Sequence, residues 1–171
     1  MDALIEQGII GIITGIFTTV IIFSIKTLWV TKVTPYLASV RYQGVEINGQ
    51  WSGVSEITEK DIEEKKYEGP PYKSEHTLYL NQNAHDISGS LLFKFSNPEK
   101  EFAIDFNVKG YMWEGYVTLN FTPKDKRVTS YATALLKLHD GGSTLVGSWL
   151  FRDVMQEKVL QSSIFLVRNQ Q

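Results

Sequence analysis

Seven side chains carry the strongest binding chemistry in this sequence: Trp51, Tyr79, Asn107, Lys109, Tyr111, Tyr131 and Arg152. Flat rings stack on nucleobases at about 1–3 kcal/mol each, and cations or amides on the same strands can meet phosphates or base edges. Trp113, Trp149 and Tyr116 add to the supply of rings, and Lys94 and Lys137 to the cations. Arg152 follows Trp149 and Phe151 near a strand end, a position that places it at the mouth of a barrel. Catalytic chemistry is thin by comparison. His76, His85 and His139 lie far apart without ligand spacing, and there is no cysteine for zinc. Asp86 and Asp140 fit turns, and neither a Gly-x-Ser-x-Gly elbow nor a phosphate loop occurs. No enzyme, metal or cofactor is expected. A net charge of −2 argues against DNA or RNA polymers as the main partner, whereas a small nucleotide needs only one or two cations.

The elements that must position these residues are short β-strands. From Gly44 onward apolar residues alternate with polar ones: Val45, Ile47 and Trp51; Ile87, Leu91, Phe93 and Phe95; Phe102, Ile104, Phe106 and Val108; Tyr111, Trp113, Val117, Leu119 and Phe121. Further strands are expected at about 75–82, 128–139, 143–152 and 158–168. Turn chemistry separates them at Asn81–Asp86, Ser96–Glu99, Gly110, Pro123–Asp125, Asp140–Gly142 and Asp153–Gln156. The charged stretch Glu59–Lys73 is the one long connection and reads as a mobile loop. A weak repeat, apolar-x-Gly-x-apolar, recurs at Gly49, Gly89, Gly115 and Gly147. Glycines inside strands mark sharp bends or close backbone approaches, as the coiled strands of a small barrel require. The expected fold is all-β: a small eight-stranded up-and-down (lipocalin-like) barrel behind an N-terminal transmembrane helix, with room for one small ligand.

That helix is the run Gln7–Ile25, which carries no charge. At 1.5 Å per residue it spans about 28 Å, close to the ~30 Å hydrocarbon core of a bilayer. Asp2 and Glu6 precede it, Lys26, Lys32 and Arg41 follow it, and no cleavage site appears before Lys32, so it reads as a retained anchor. The basic side places the C-terminal domain in the cytoplasm, and Trp29 and Tyr36 suit the interface. Gly8, Gly11, Gly15 and Thr19 form a small-residue stripe of the kind that lets membrane helices pack as homo-oligomers. Residues 1–32 are thus the transmembrane helix and flanks, 33–43 a juxtamembrane linker that Pro35 breaks or kinks, and 44–171 the barrel.

An uncharged span, the junction Tyr42-Gln-Gly-Val-Glu-Ile-Asn-Gly-Gln-Trp-Ser-Gly53 and the strand series to Arg168 together resemble the β-strand-rich membrane effectors of CBASS-type anti-phage systems. These are the two-transmembrane effectors associated with CD-NTase enzymes. The resemblance implies a cytoplasmic barrel that recognises a cyclic di- or trinucleotide and controls oligomerisation of the span in the bacterial inner membrane. It further implies membrane disruption and death of the infected cell, with the messenger either activating or restraining the effector. This chain shows one span where that family has two. A membrane-tethered lipocalin-like carrier of an apolar small ligand is the alternative.

Overall fold

A computed structural model describes residues 2–57, 71–153 and 158–169. The chain divides into two compact units at Tyr42/Gln43.

The first unit is helical: α1 spans Asp2–Leu28, one π-helical turn covers Trp29–Val33, and α2 covers Thr34–Arg41. It contains a helix long and apolar enough to cross a membrane, with none of its most apolar window buried against the rest of the protein. Every hydroxyl along the span bonds back to a carbonyl of its own helix: Thr14 to Ile10, Thr18 to Thr14, Thr19 to Gly15, Ser24 to Val20, Thr27 to Phe23 and Thr31 to Thr27. Such bonds leave no hydroxyl donor facing hydrocarbon unpaired. Of the break or kink expected at Pro35, the break does not occur. Proline removes one N–H and crowds the carbonyl four residues back, and a π turn just before it absorbs the misfit. There the N–H of Thr34 donates to the Trp29 carbonyl, five residues away, and helical geometry continues to Arg41.

The second unit is a closed antiparallel barrel in which each strand pairs with the next and β8 returns to β1. Its strands are β1 (Gly49–Ile57), β2 (Tyr72–Asn83), β3 (Asp86–Ser96), β4 (Glu101–Trp113), β5 (Tyr116–Pro123), β6 (Ala132–His139), β7 (Thr144–Asp153) and β8 (Lys158–Arg168). Most of the stretch expected as the long connection, and of the turn after Asp153, lies outside the described residues. Tyr72 and Lys73, expected in that connection, open β2.

Two turn assignments are corrected. Gly110 sits within β4, and the hairpin falls instead at Glu114-Gly115, both at positive φ (50° and 79°). This is the backbone a tight two-residue hairpin needs, and glycine adopts it without strain. Gly115 of the repeat is therefore a turn residue. Gly89 and Gly147 do mark close approaches, joined by Gly53 and Gly110. A methyl at each would fall 1.9–2.2 Å from a carbonyl oxygen of the neighbouring strand. Val45 and Ile47 precede β1 rather than belonging to it.

Alternation decides what fills the barrel. Ile47, Trp51, Leu78, Leu80, Leu91, Val108, Val117, Leu119, Leu136, Leu145 and Leu166 are almost wholly buried. One end is sealed where the chain enters: the Trp51 indole N–H donates to the Ile47 carbonyl (2.9 Å), and the Arg168 guanidinium lies 5.6 Å from the Trp51 ring centre. Arg168 also donates to the carbonyls of Glu46 (3.2 Å) and Asn48 (2.5 Å), locking the entering segment to the last strand.

Candidate functional site

The opposite end differs in composition. Here the inward-facing positions are Ser74 and His76 on β2, Phe93 on β3, Ile104 and Phe106 on β4, Phe121 on β5, Trp149 and Phe151 on β7, and Ser162 on β8. Phe93, Ile104, Phe151 and Ser162 are half-buried although they point inward, so this end forms a shallow aromatic cup above the aliphatic core. Its rings touch in a network. His76 meets Phe93 at 5.1 Å and Trp149 edge-on at 4.9 Å, and Trp149 meets Phe93 at 5.4 Å, Phe151 at 5.2 Å and Phe121 at 6.2 Å. Aromatic pairs at these spacings gain about 0.5–1.5 kcal/mol beyond area burial, which holds the cup rigid.

His76 is the polar member of this network. Its side chain is 5% exposed, and burial pushes the imidazole down to about 4, so it is neutral at physiological pH. Nε2 lies 3.5 Å from Ser74 Oγ, which in turn lies 3.4 Å from the Ser55 carbonyl. Nδ1 has no hydrogen-bond partner among the described residues. A buried imidazole nitrogen left unpaired costs about 1–3 kcal/mol, a cost that a bound hydrogen-bonding group would remove.

Charge gathers on the rim around the cup. The strand ends and turns there carry Lys73, Lys94, Lys100, Lys124, Lys126, Arg127, Arg152 and Lys158, against Glu56, Glu75, Glu99, Glu101, Asp105, Asp125 and Asp153. Cations and acids nearly balance among these described residues, eight to seven. Arg127 is spent on Asp125, at 2.7 Å, and Lys73 on Glu75, at 2.7 Å; each partner holds the carboxyl below its usual range. Among the described inward-facing residues of the cup there is no Lys, Arg, Asp or Glu.

The sequence-derived site residues separate into three groups. Arg152 and Tyr131 meet at the rim, where the Arg152 N–H donates to the Tyr131 carbonyl at 3.1 Å, and both side chains are exposed. Tyr79, Asn107, Lys109 and Tyr111 stand on the outer wall of β2 and β4, exposed to solvent. Their expected place inside the barrel is corrected, as it is for Trp113 and Tyr116: each alternates with a buried neighbour, Leu78 and Leu80 beside Tyr79, Val108 and Met112 beside the β4 set. Trp51 is inside but at the sealed end, fully buried as a core residue. The cup residues Ser74, His76, Phe93, Phe121 and Phe151 were absent from the expected set. One signal was available: His76 and Ser74 continue the apolar phase of β2 from Leu80 and Leu78, and a polar residue in that phase faces the interior.

Among the described residues no three His, Cys, Asp or Glu side chains come together as a metal site. Fold and site thus define a small closed barrel with an aromatic, neutral cup inside a rim of mixed charge, carried behind a long apolar helix. No family model, curated protein or solved structure matches the chain.

Proposed function

We propose that the protein is a membrane-anchored receptor whose barrel takes a small anionic heteroaromatic ligand, a cyclic nucleotide, and thereby controls self-association of the span. The observation that carries this reading is the aromatic cup at one end of the barrel, with exposed Arg152 and Lys158 at the strand ends beside it. Bases would lie on Phe93 and Phe151, the half-buried rings above Trp149 and His76. Phosphates would remain at the rim near Arg152 and Lys158, where charge-assisted bonds form without burying a cation. The basic residues after α1 would hold this barrel on the cytoplasmic side. Membrane disruption in anti-phage defence is the function that this mode of control would serve.

Calorimetric titration of the full chain in nanodiscs with a panel of cyclic di- and trinucleotides tests the reading. Arg152→Ala is expected to weaken binding about tenfold, and Phe93→Ala by a similar factor, the size of one charge-assisted or stacking contact. Heat signals that are absent across the panel would sink it.

The neutrality of the cup favours a second reading, a tethered carrier of uncharged aromatic molecules. It predicts saturable binding of N-phenyl-1-naphthylamine in nanodiscs, sensitive to Phe93→Ala and indifferent to Arg152→Ala.

The span supplies the effector side of the proposal. In the single chain, a methyl added at Gly8, Gly11 or Gly15 meets nothing within 4 Å, and the Thr19 hydroxyl is turned back on Gly15. The stripe is therefore free for a second helix to approach. Gly11→Leu with Gly15→Leu should reduce self-association in a membrane two-hybrid assay about tenfold, while the barrel melts as before. Unchanged association would remove the stripe from the mechanism.

A further inference from the structure

The outer wall of the barrel carries an aromatic patch that the cup does not use. Register sets it out in rows. Trp113 on β4 lies opposite Tyr116 on β5, which lies opposite Lys137 on β6. In the next row Tyr111 lies opposite Thr118, and Thr118 opposite Leu135. Tyr111, Trp113, Tyr116 and Leu135 are 45%, 55%, 48% and 54% exposed. The rings are held rather than loose. His85 stacks on Tyr111 at 5.5 Å and meets Trp113 at 4.9 Å, and Lys137 Nζ lies 5.6 Å from the centre of the Tyr116 ring. Exposed Trp and Tyr are the residues that dominate protein–protein contacts, and rings already fixed lose little freedom on binding.

The charges of the patch choose the partner. Glu114, in the turn beside Trp113, and Lys137 are both exposed, and among the described residues neither forms an ion pair within the chain. They stand on opposite sides of Tyr116, each about one strand spacing, ~4.8 Å, across the sheet. A surface with opposite charges nearly equidistant from a central ring is complementary to itself. A two-fold axis through that ring brings each charge to its opposite. A partner carrying one sign of charge would attract one of the two and repel the other.

We propose that two copies of the chain pair through this patch about a two-fold axis at Tyr116, with Lys137 of each copy against Trp113 and Glu114 of the other. The two Tyr116 rings meet at the axis, and each Lys137 gains a second ring and a carboxylate. The barrel wall is convex, so the contact is confined to β4, β5 and β6. It falls below the ~800 Å² that a standard interface takes from each partner, and is weak in free solution. Copies whose spans share one bilayer meet at a raised effective concentration, which lets it form. The proposal therefore rests on the reading of α1 as a span, but neither on the glycine stripe nor on what the cup binds.

The test is energy transfer between labelled full-length chains in phosphatidylcholine proteoliposomes, over a range of protein-to-lipid ratios. The chain has no cysteine, so one introduced at exposed Thr122 on β5 takes the donor or the acceptor. Lys137→Glu and Glu114→Lys are each expected to raise the half-saturating ratio about tenfold, because each sets like charges together. The double variant exchanges the signs at the wild-type net charge, and is expected to return within about twofold of wild type. Tyr116→Ala leaves the charges alone and should weaken association by a factor like that of the single swaps. Circular dichroism of the same liposomes checks that every variant keeps the barrel. Single swaps and Tyr116→Ala that associate like wild type would overturn the proposal and leave the span to account for association. Loss in both single swaps without recovery in the double would also overturn it, as would quenching of Trp113 by lipid brominated near the headgroup. If the chain fails to float with the liposomes, the span reading fails and the pairing falls with it.

Discussion

Replacing Gly89 by alanine is expected to lower the melting temperature of the barrel by roughly 10 °C or more, measured by circular dichroism on the full chain in nanodiscs. Gly89 lies opposite Leu80 on one side and Val108 on the other. The added methyl would sit 1.9 Å from the Tyr79 carbonyl oxygen and 3.3 Å from the Leu80 Cα. Those atoms are backbone, so relief requires β2 and β3 to separate rather than a rotamer to change. The cost is about 3 kcal/mol, the upper part of the range for overpacking a core. Gly115→Ala provides the contrast. That turn has open space but a φ of +79°, so alanine there pays only the left-handed backbone penalty, about 1–2 kcal/mol. If both variants melt together, the close approach at Gly89 is not what shapes the barrel.

The four close glycines explain why so much of the barrel could be read in advance. Period-2 alternation in a chain with a single long connection leaves few topologies, and glycines at intervals allow the strands to coil tightly enough to close. Boundaries were harder, because a glycine signals either a turn or a bend. Gly110 and Gly115 are five residues apart in the same hairpin, and only the pairing of Trp113 with Tyr116 shows which one turns the chain. Pro35 left two outcomes open, a break or a kink, for a related reason. A proline usually ends a helix, but one π turn at Trp29–Val33 is enough to carry it.

The site was less legible than the fold, and the reason lies in phase. Tyr79, Lys109 and Tyr111 carry the residue types that bind nucleotides, yet they fall on the outward parity of their strands. His76 carries less obvious chemistry but falls inside. Residue type was readable from sequence; which face it occupies depends on register, and a shift of one residue exchanges the two faces. Arg152 and Tyr131 were placed more securely because they sit at strand ends, where parity matters less than position along the barrel.

The neutral state of His76 leads to the second large effect, a loss of stability on acidification. Unfolded, the imidazole titrates near 6.5; in the cup, burial lowers this to about 4. The unfolded chain therefore binds more protons than the folded one between these values, and stability rises with pH across the window. The contribution is complete above about pH 6.5 and is lost progressively as pH falls through 4, a total of about 3 kcal/mol. His76→Leu removes the titrating group and the unpaired Nδ1 while keeping an apolar side chain of similar size. Denaturant unfolding of the two proteins in nanodiscs, followed from pH 7.5 to 4, should give curves that diverge below pH 6.5, with wild type losing the extra stability. The remaining groups are common to both proteins, so their contributions cancel in the difference. Parallel curves would mean that the folded protein already accommodates the imidazolium, and a neutral cup would no longer be part of the recognition chemistry.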